Sequence, residues 1–187
     1  MCRVASIYVV LNFPVMYRYD SPFLEIVGVT STWKNFNVAG AFLAHEETDN
    51  YTWAIEQLAK LFFKVKRQPT CVVTDREAAL MKPVYSMFPN VKFLLCRLHV
   101  QRNIELFARK LTDKARATRV ANAYRDLFYC TTEEDYNVKR YKLFHNWRDL
   151  PKLHYYAHQT WFKPHKEKLV AAWTDDAFTL GQNTTNR

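Results

Sequence analysis

One stretch constrains the fold of this chain more than any other. It runs from Cys71 to Asn103 and reads CVVTDREAALMKPVYSMFPNVKFLLCRLHVQRN. An apolar run stops abruptly at Thr74-Asp75, and an amphipathic helical pattern follows over 76–87. Pro89-Asn90 turns the chain into a second apolar run, 91–95, which ends in Cys96-Arg97-Leu98-His99 and opens another helix. Strand, carboxylate, helix, strand, helix is the order of an open α/β sheet, whose chemistry gathers at the C-terminal ends of the strands. Asp75 is therefore expected at a rigid sheet edge, as a carboxylate suited to a divalent metal. The same residue also suits a helix N-cap, and the two roles are compatible.

The flanking sequence supplies more strands before this stretch and helices after it. Residues 4–11, 23–32 and 36–44 are rich in β-branched and apolar types and read as strands. Trp33-Lys34-Asn35 is a short polar turn, which makes the second and third of these a hairpin. A helix is expected from Thr48 to about Lys64, with Trp53, Ile55, Leu58, Leu61 and Phe62 as its apolar positions. Past His99 no strand pattern appears. Val100, Ile104, Phe107 and Leu111 form one helical stripe, and Val120, Tyr124, Leu127 and Phe128 form another. Thr131 to Asp135 offers two overlapping capping boxes for a third helix. The expected organisation is an α/β core over 1–98, a mixed five-stranded sheet with its helices, and a helical region over 99–187.

Bulk properties narrow the function classes. Apolar residues make up 49% and aromatics 16% of 187 residues, which excludes a disordered chain. With only three glycines there is no glycine-rich phosphate loop. The net charge is +9, and residues 101–170 carry 15 Lys+Arg against 8 Asp+Glu. A solvated helical surface is the bland reading of that excess, and a nucleic acid is the partner it suits best. Cys2, Cys71, Cys96 and Cys130 follow no framework spacing and read as reduced thiols in an intracellular protein. No apolar run approaches membrane-spanning length, so no membrane partner is expected.

The block PFLEIVGVTSTWKNFNVAGAFLAHEETDNYTWAIEQL, the segment VVTDREAALMKPVYSMFPNVKFLLCRLHVQRNI and the final WFKPHKEKLVAAWTDDAFTLGQNTTNR resemble the MULE (Mutator-like element) transposase domain. The resemblance covers nearly everything after Tyr17, and its most specific part is TDRE-x-AL-M with the downstream C-x-x-H. Related sequences include far-red-response transcription factors, which look like domesticated transposases. The resemblance implies a ribonuclease H-like fold with a helical insertion, and a DDE triad that holds Mg²⁺ or Mn²⁺ for DNA strand transfer in recombination. It also implies a nuclear protein with DNA as partner; self-association is left open. By this resemblance Asp75 is the second triad Asp, and Cys96 and His99 are the family's C-x-x-H pair.

This chain departs from that pattern at the first triad position. Counting back from Pro22 reaches Leu11, with Asn12 beside it, where the family has an Asp. Leucine cannot ligate a hard cation and asparagine lacks the charge. Asp20 is the only nearby carboxylate and is expected on the loop side of the strand. The resemblance puts the third triad residue, a Glu, beyond Arg187. Metal binding is therefore expected to be weak or absent, and the chain inactive by itself. His154 and His158, at helical spacing, would complete a zinc set with Cys96 and His99, but zinc is not expected. Trp147, Trp161 and Trp173 suit core packing better than base stacking, while Lys163, His165, Lys166 and Lys168 form a basic segment. Three functions are in play: a MULE-type transposase domain, a non-catalytic DNA-binding regulatory module of domesticated type, and a ribonuclease H-like nuclease with a rearranged metal site.

Overall fold

The computed structural model describes residues 21–29, 34–64, 68–69 and 71–174, together with the backbone of 6–12. They form two compact units, one ending at Leu94 and the other starting at Leu95, just before the boundary expected after Leu98.

The first unit is α/β. Its strands are β1 (Ser6–Asn12), β2 (Phe23–Val29), β3 (Asn35–Phe42), β4 (Cys71–Thr74) and β5 (Lys92–Leu95), in the sheet order β3-β2-β1-β4-β5. The central strand β1 pairs antiparallel with β2, from Ser6 opposite Val29 to Asn12 opposite Phe23. On its other side β1 runs parallel to β4, with Ile7 opposite Val72 and Tyr8 opposite Val73. β2 pairs antiparallel with β3, with an irregularity after Ile26 where Val38 is skipped. Burial follows from position. β4 is buried at every residue, as a strand covered on both faces must be. β3, an edge strand, leaves most of its residues exposed or half-buried. At two close approaches a ring lies over a glycine, Phe36 over Gly28 and Phe23 over Gly40, where any Cβ would collide with the ring.

Helices α1 (Thr48–Lys64) and α2 (Ala78–Met87) share one apolar core with the sheet, built on Leu24, Ile26, Ile55, Leu58, Leu80 and Phe93. Phe62 meets Phe88 edge-on at 6.1 Å. The buried stripe of α1 is Tyr51, Ala54, Ile55, Leu58, Ala59 and Phe62, spaced at one face of a 3.6-residue helix. Trp53 and Leu61, expected in the core, are more than half exposed instead. Hydrophobicity alone does not choose the face; the stripe that includes the two small alanines lets α1 approach closely.

The described elements of the second unit are all helical: α3 (Arg97–Ala108), α4 (Lys114–Phe128), α5 (Glu133–Asn146) and α6 (Pro151–Ala157), then a π-helical turn His158–Phe162 and the short pieces Lys163–His165, Lys166–Lys168 and Ala171–Thr174. Local chemistry sets the helix starts. The Asp113 carboxylate accepts the Arg116 amide at 2.9 Å, and the Thr132 hydroxyl accepts the Asp135 amide at 3.1 Å. Val120, Tyr124, Leu127 and Phe128 of α4 are buried as their spacing predicts. No helix among the described residues is long and apolar enough to cross a membrane.

The facing of α1 makes a direct comparison possible. Ile55→Ala is expected to cost about 2–5 kcal/mol, the range for a buried isoleucine. Trp53→Ala is expected to stay within about 0.5 kcal/mol, as for an exposed position. Urea unfolding of the two variants checks this; equal losses would mean that α1 faces the other way.

Candidate functional site

Sheet pairing brings three strand ends to one edge. Asn12 lies opposite Phe23, and Phe23 opposite Phe42, so β1 and β3 end together. The parallel register of β1 and β4, carried two residues past Tyr8 and Val73, sets Val10 level with Asp75. Leu11 and Asn12 follow immediately. Asp20 lies outside the described residues.

Asp75 directly follows β4. Thr74 is fully buried, and its hydroxyl donates to the Asp75 carbonyl at 2.8 Å. Asp75 itself is half-buried, with its Oδ1 sealed from solvent. The N-cap of α2 is not Asp75 but Glu77, whose carboxylate accepts the Ala79 amide at 3.1 Å. That leaves the helix-capping role to Glu77 and holds its carboxylate at the sheet edge.

Two further residues join this edge that the sequence pattern did not single out. Glu46, in the loop between β3 and α1, has its carboxyl pushed up by burial and then by the negative charges of Glu77 and Asp75. Tyr51, in the first turns of α1, is fully buried, and its hydroxyl has no hydrogen-bond partner among the described residues. Burial first, and then Glu46, Glu77 and Asp75, hold that phenol protonated far above its ordinary range. The edge is thus acidic, with Glu46, Asp75 and Glu77 close enough to repel one another.

Two cations sharing a site need several carboxylate oxygens converging on them. Among the described residues no three His, Cys, Asp or Glu side chains gather into such a cage. The β1 positions level with Asp75 and just past it carry Val10 and Leu11, and neither side chain has an oxygen to offer. Among the described residues, then, Asp75 is not joined by a ready-made two-metal cage.

The C-x-x-H residues begin the second unit. Cys96 is a fully buried thiol at the N-cap of α3, and His99 is half-buried in its first turn. Between them lies Arg97, only 6% exposed. Its Nε donates to the Leu169 carbonyl at 2.8 Å and its guanidinium reaches the Thr174 hydroxyl at 3.3 Å, while the group sits 5.0 Å from the Tyr129 ring centre. Its burial was not legible, because a single arginine in a helical pattern normally faces solvent.

His154 is bonded through both ring nitrogens. Its Nε2 donates to the Trp147 carbonyl at 2.9 Å, so Nδ1 carries no proton and accepts from the Tyr124 hydroxyl at 2.6 Å. Neither nitrogen is left for a metal, which breaks the Cys96, His99, His154, His158 zinc set. Trp161 is buried and donates to the Tyr156 hydroxyl at 3.4 Å. Trp147 lies under Arg116 and Trp173 under Lys166, at 5.6 and 4.5 Å. Trp161 is thus a packing residue, while Trp147 and Trp173 are half-buried beneath cations.

An α/β unit with carboxylates at one sheet edge, followed by a basic helical unit, is the kind of protein the geometry defines. Comparison with known proteins agrees with the resemblance drawn from the motifs: residues 15–103 match the MULE transposase domain. That match covers 89 of the 187 residues. The chain is also 22% identical over 174 residues to the protein FAR-RED IMPAIRED RESPONSE 1 of Arabidopsis thaliana, covering 92% of this chain and 20% of that protein. It spans about a fifth of that relative's length.

Two outcomes test this description. A buried hydroxyl without a partner costs about 1–3 kcal/mol. Tyr51→Phe is therefore expected to leave thermal stability unchanged or raise it, and a loss would reveal a partner for the hydroxyl. The second outcome concerns pH. Burial is the main cause that lowers the pKa of His154, opposed by its bond to the Trp147 carbonyl and by Asp149. A histidine kept neutral by the fold takes up its proton more readily in the unfolded chain. Stability is then complete above about pH 6.5 and declines as pH falls from there through the folded value. Melting temperatures should drop over that window, and drop less in His154→Gln; identical profiles would refute the assignment.

Proposed function

We propose that this chain is a transposase-derived DNA-binding domain on a ribonuclease H-like core, and that its own residues do not perform strand transfer. The observation that carries this reading is the register of β1 against β4. Carried past Tyr8 and Val73, it sets Val10 level with Asp75 and puts Leu11, where counting against the family pattern places the first carboxylate, one residue further along β1. A leucine there removes a metal ligand from the one edge at which Asp75 could share a cation. The strand order, with β2 antiparallel and β4 parallel to β1, supports the ribonuclease H-like assignment. DNA as partner is supported by charge: residues 95–174 carry 16 Lys+Arg against 8 Asp+Glu. In this reading the basic helical unit holds the phosphate backbone, and Asp75 remains as a relic of the site. A nucleus is the matching location, and a regulatory role is the matching use of DNA binding without cleavage.

A second reading is favoured by one observation, the raised pKa of Glu46, whose carboxyl is shifted first by burial and then by the charges of Glu77 and Asp75. These carboxylates would make a rearranged nuclease site. One set of assays separates the two readings. With Mg²⁺ or Mn²⁺ present, the chain is expected to bind labelled DNA at low salt without cleaving or joining it. Affinity should fall as salt rises, by a log–log slope of about 0.9 per phosphate neutralised. Leu11→Asp is expected to tighten Mn²⁺ binding measured by calorimetry, and Asp75→Ala added to it should reverse the gain. Cleavage by the native chain that disappears in Asp75→Ala would establish the rearranged site instead. Failure to bind DNA even at low salt would remove DNA as the partner.

A further inference from the structure

An open groove of roughly 690 Å³ crosses the helical unit, within the size range of about 300–1,000 Å³ typical of ligand sites. Its walls are Phe107 of α3, Lys152, Tyr155 and Tyr156 of α6, and Gln159 and Thr160 of the π-helical turn. Phe107 and Tyr156 stack face to face, with centroids 4.1 Å apart and planes 4° from parallel. The Trp161 indole donates a hydrogen bond to the Tyr156 hydroxyl. Tyr155, by contrast, stands 71% exposed on the rim. The wide turn that supplies Gln159 and Thr160 is a backbone irregularity of a kind that recurs at functional sites.

The lining decides which ligand suits this groove. It is aromatic, it contains no carboxylate, and its one charged member is Lys152. Lys152 makes no ion pair with another described residue, and Lys110, Arg148 and Lys163 lie exposed on neighbouring stretches of chain. An apolar, aromatic slot with a lysine in its wall and further exposed cations close by in sequence complements a planar ring carried on an anionic backbone. The geometry points to a single-stranded nucleic-acid site, in which an unpaired base enters the groove and stacks on Tyr155 beside the Phe107–Tyr156 pair. Lys152 and the neighbouring cations take the flanking phosphates. This inference rests on the reading of the chain as a DNA-binding domain, and adds that part of its target is unpaired.

The test uses the whole chain and fluorescence anisotropy at low salt. The probes are a labelled oligothymidylate of about 12 nucleotides, within the ~4–16 nucleotides such sites span, and a duplex of equal length. Tyr155→Ala removes an exposed ring, so folding is not at issue. The variant is expected to weaken single-strand binding about tenfold, as for loss of one stacked base, and to change duplex binding less than twofold. Lys152→Ala should weaken single-strand binding and flatten its salt dependence. If Tyr155→Ala leaves single-strand affinity unchanged while the duplex still binds, the groove is not a base site, yet DNA binding stands. If neither probe binds the native chain, DNA binding itself falls. If sedimentation shows that Tyr155→Ala breaks up a self-associated form without altering single-strand affinity, the groove is a contact between copies and the inference is overturned.

Discussion

The first unit depends on β1 being hydrogen-bonded along both of its sides. Its antiparallel partner β2 returns the chain to the start of the edge, and its parallel partner β4 delivers Asp75 to the same edge. A parallel neighbour requires a crossover, and α1 provides it by covering one face of the sheet. The apolar stripe of α1 is therefore coupled to the site, since its burial fixes the crossover that aligns β4 with β1. Each large apolar side chain in that stripe contributes about 1.5–3 kcal/mol of burial. The acidic edge opposes this gain. There the Glu46 carboxyl is pushed up first by burial and then by the charges of Glu77 and Asp75.

In the helical unit the decisive polar group is Arg97. A guanidinium taken from water is tolerated when its donors are satisfied, and here a carbonyl and a hydroxyl from Leu169 and Thr174 do so. The amide of Ala172 donates to the Cys130 carbonyl at 2.7 Å, which ties the same segment to the end of α4. Sequence-distant pieces, the first turn of α3 and the chain near residue 170, are locked by a handful of directional bonds. His154 does similar work between α4 and the end of α5. Residues with the look of chemistry thus serve as fasteners, because buried polar groups must be paired wherever they lie.

Much of the site was legible where it depended on local sequence. Asp75 stands at a strand-to-helix junction, and such a junction is written in a few consecutive residues. The missing carboxylate at Leu11 was legible by counting against the family pattern. Glu46 and Tyr51 were not, since their closeness to Asp75 depends on β3 ending at the same edge as β4, some thirty residues away in the chain. The tryptophans could be read as core residues, but the exposed Tyr155 and its groove could not. Helical spacing gives the face of a residue on its own helix and is silent about which neighbouring helix covers that face.

The sequence by itself determined the α/β-then-helical order, the helix starts at Asp113 and Thr132, the basic excess of the C-terminal half and the likeness of residues 15–103 to the MULE transposase domain. These follow from short-range periodicity, capping chemistry, composition and motif. Only the tertiary structure decided that α1 turns Trp53 outward, that Glu77 rather than Asp75 caps α2, that Arg97 is buried, and that His154 spends both nitrogens on hydrogen bonds. Each of those outcomes depends on which distant surface reaches a side chain first. Burial and hydrogen-bond satisfaction are properties of the packed whole, so no window of the sequence contains them.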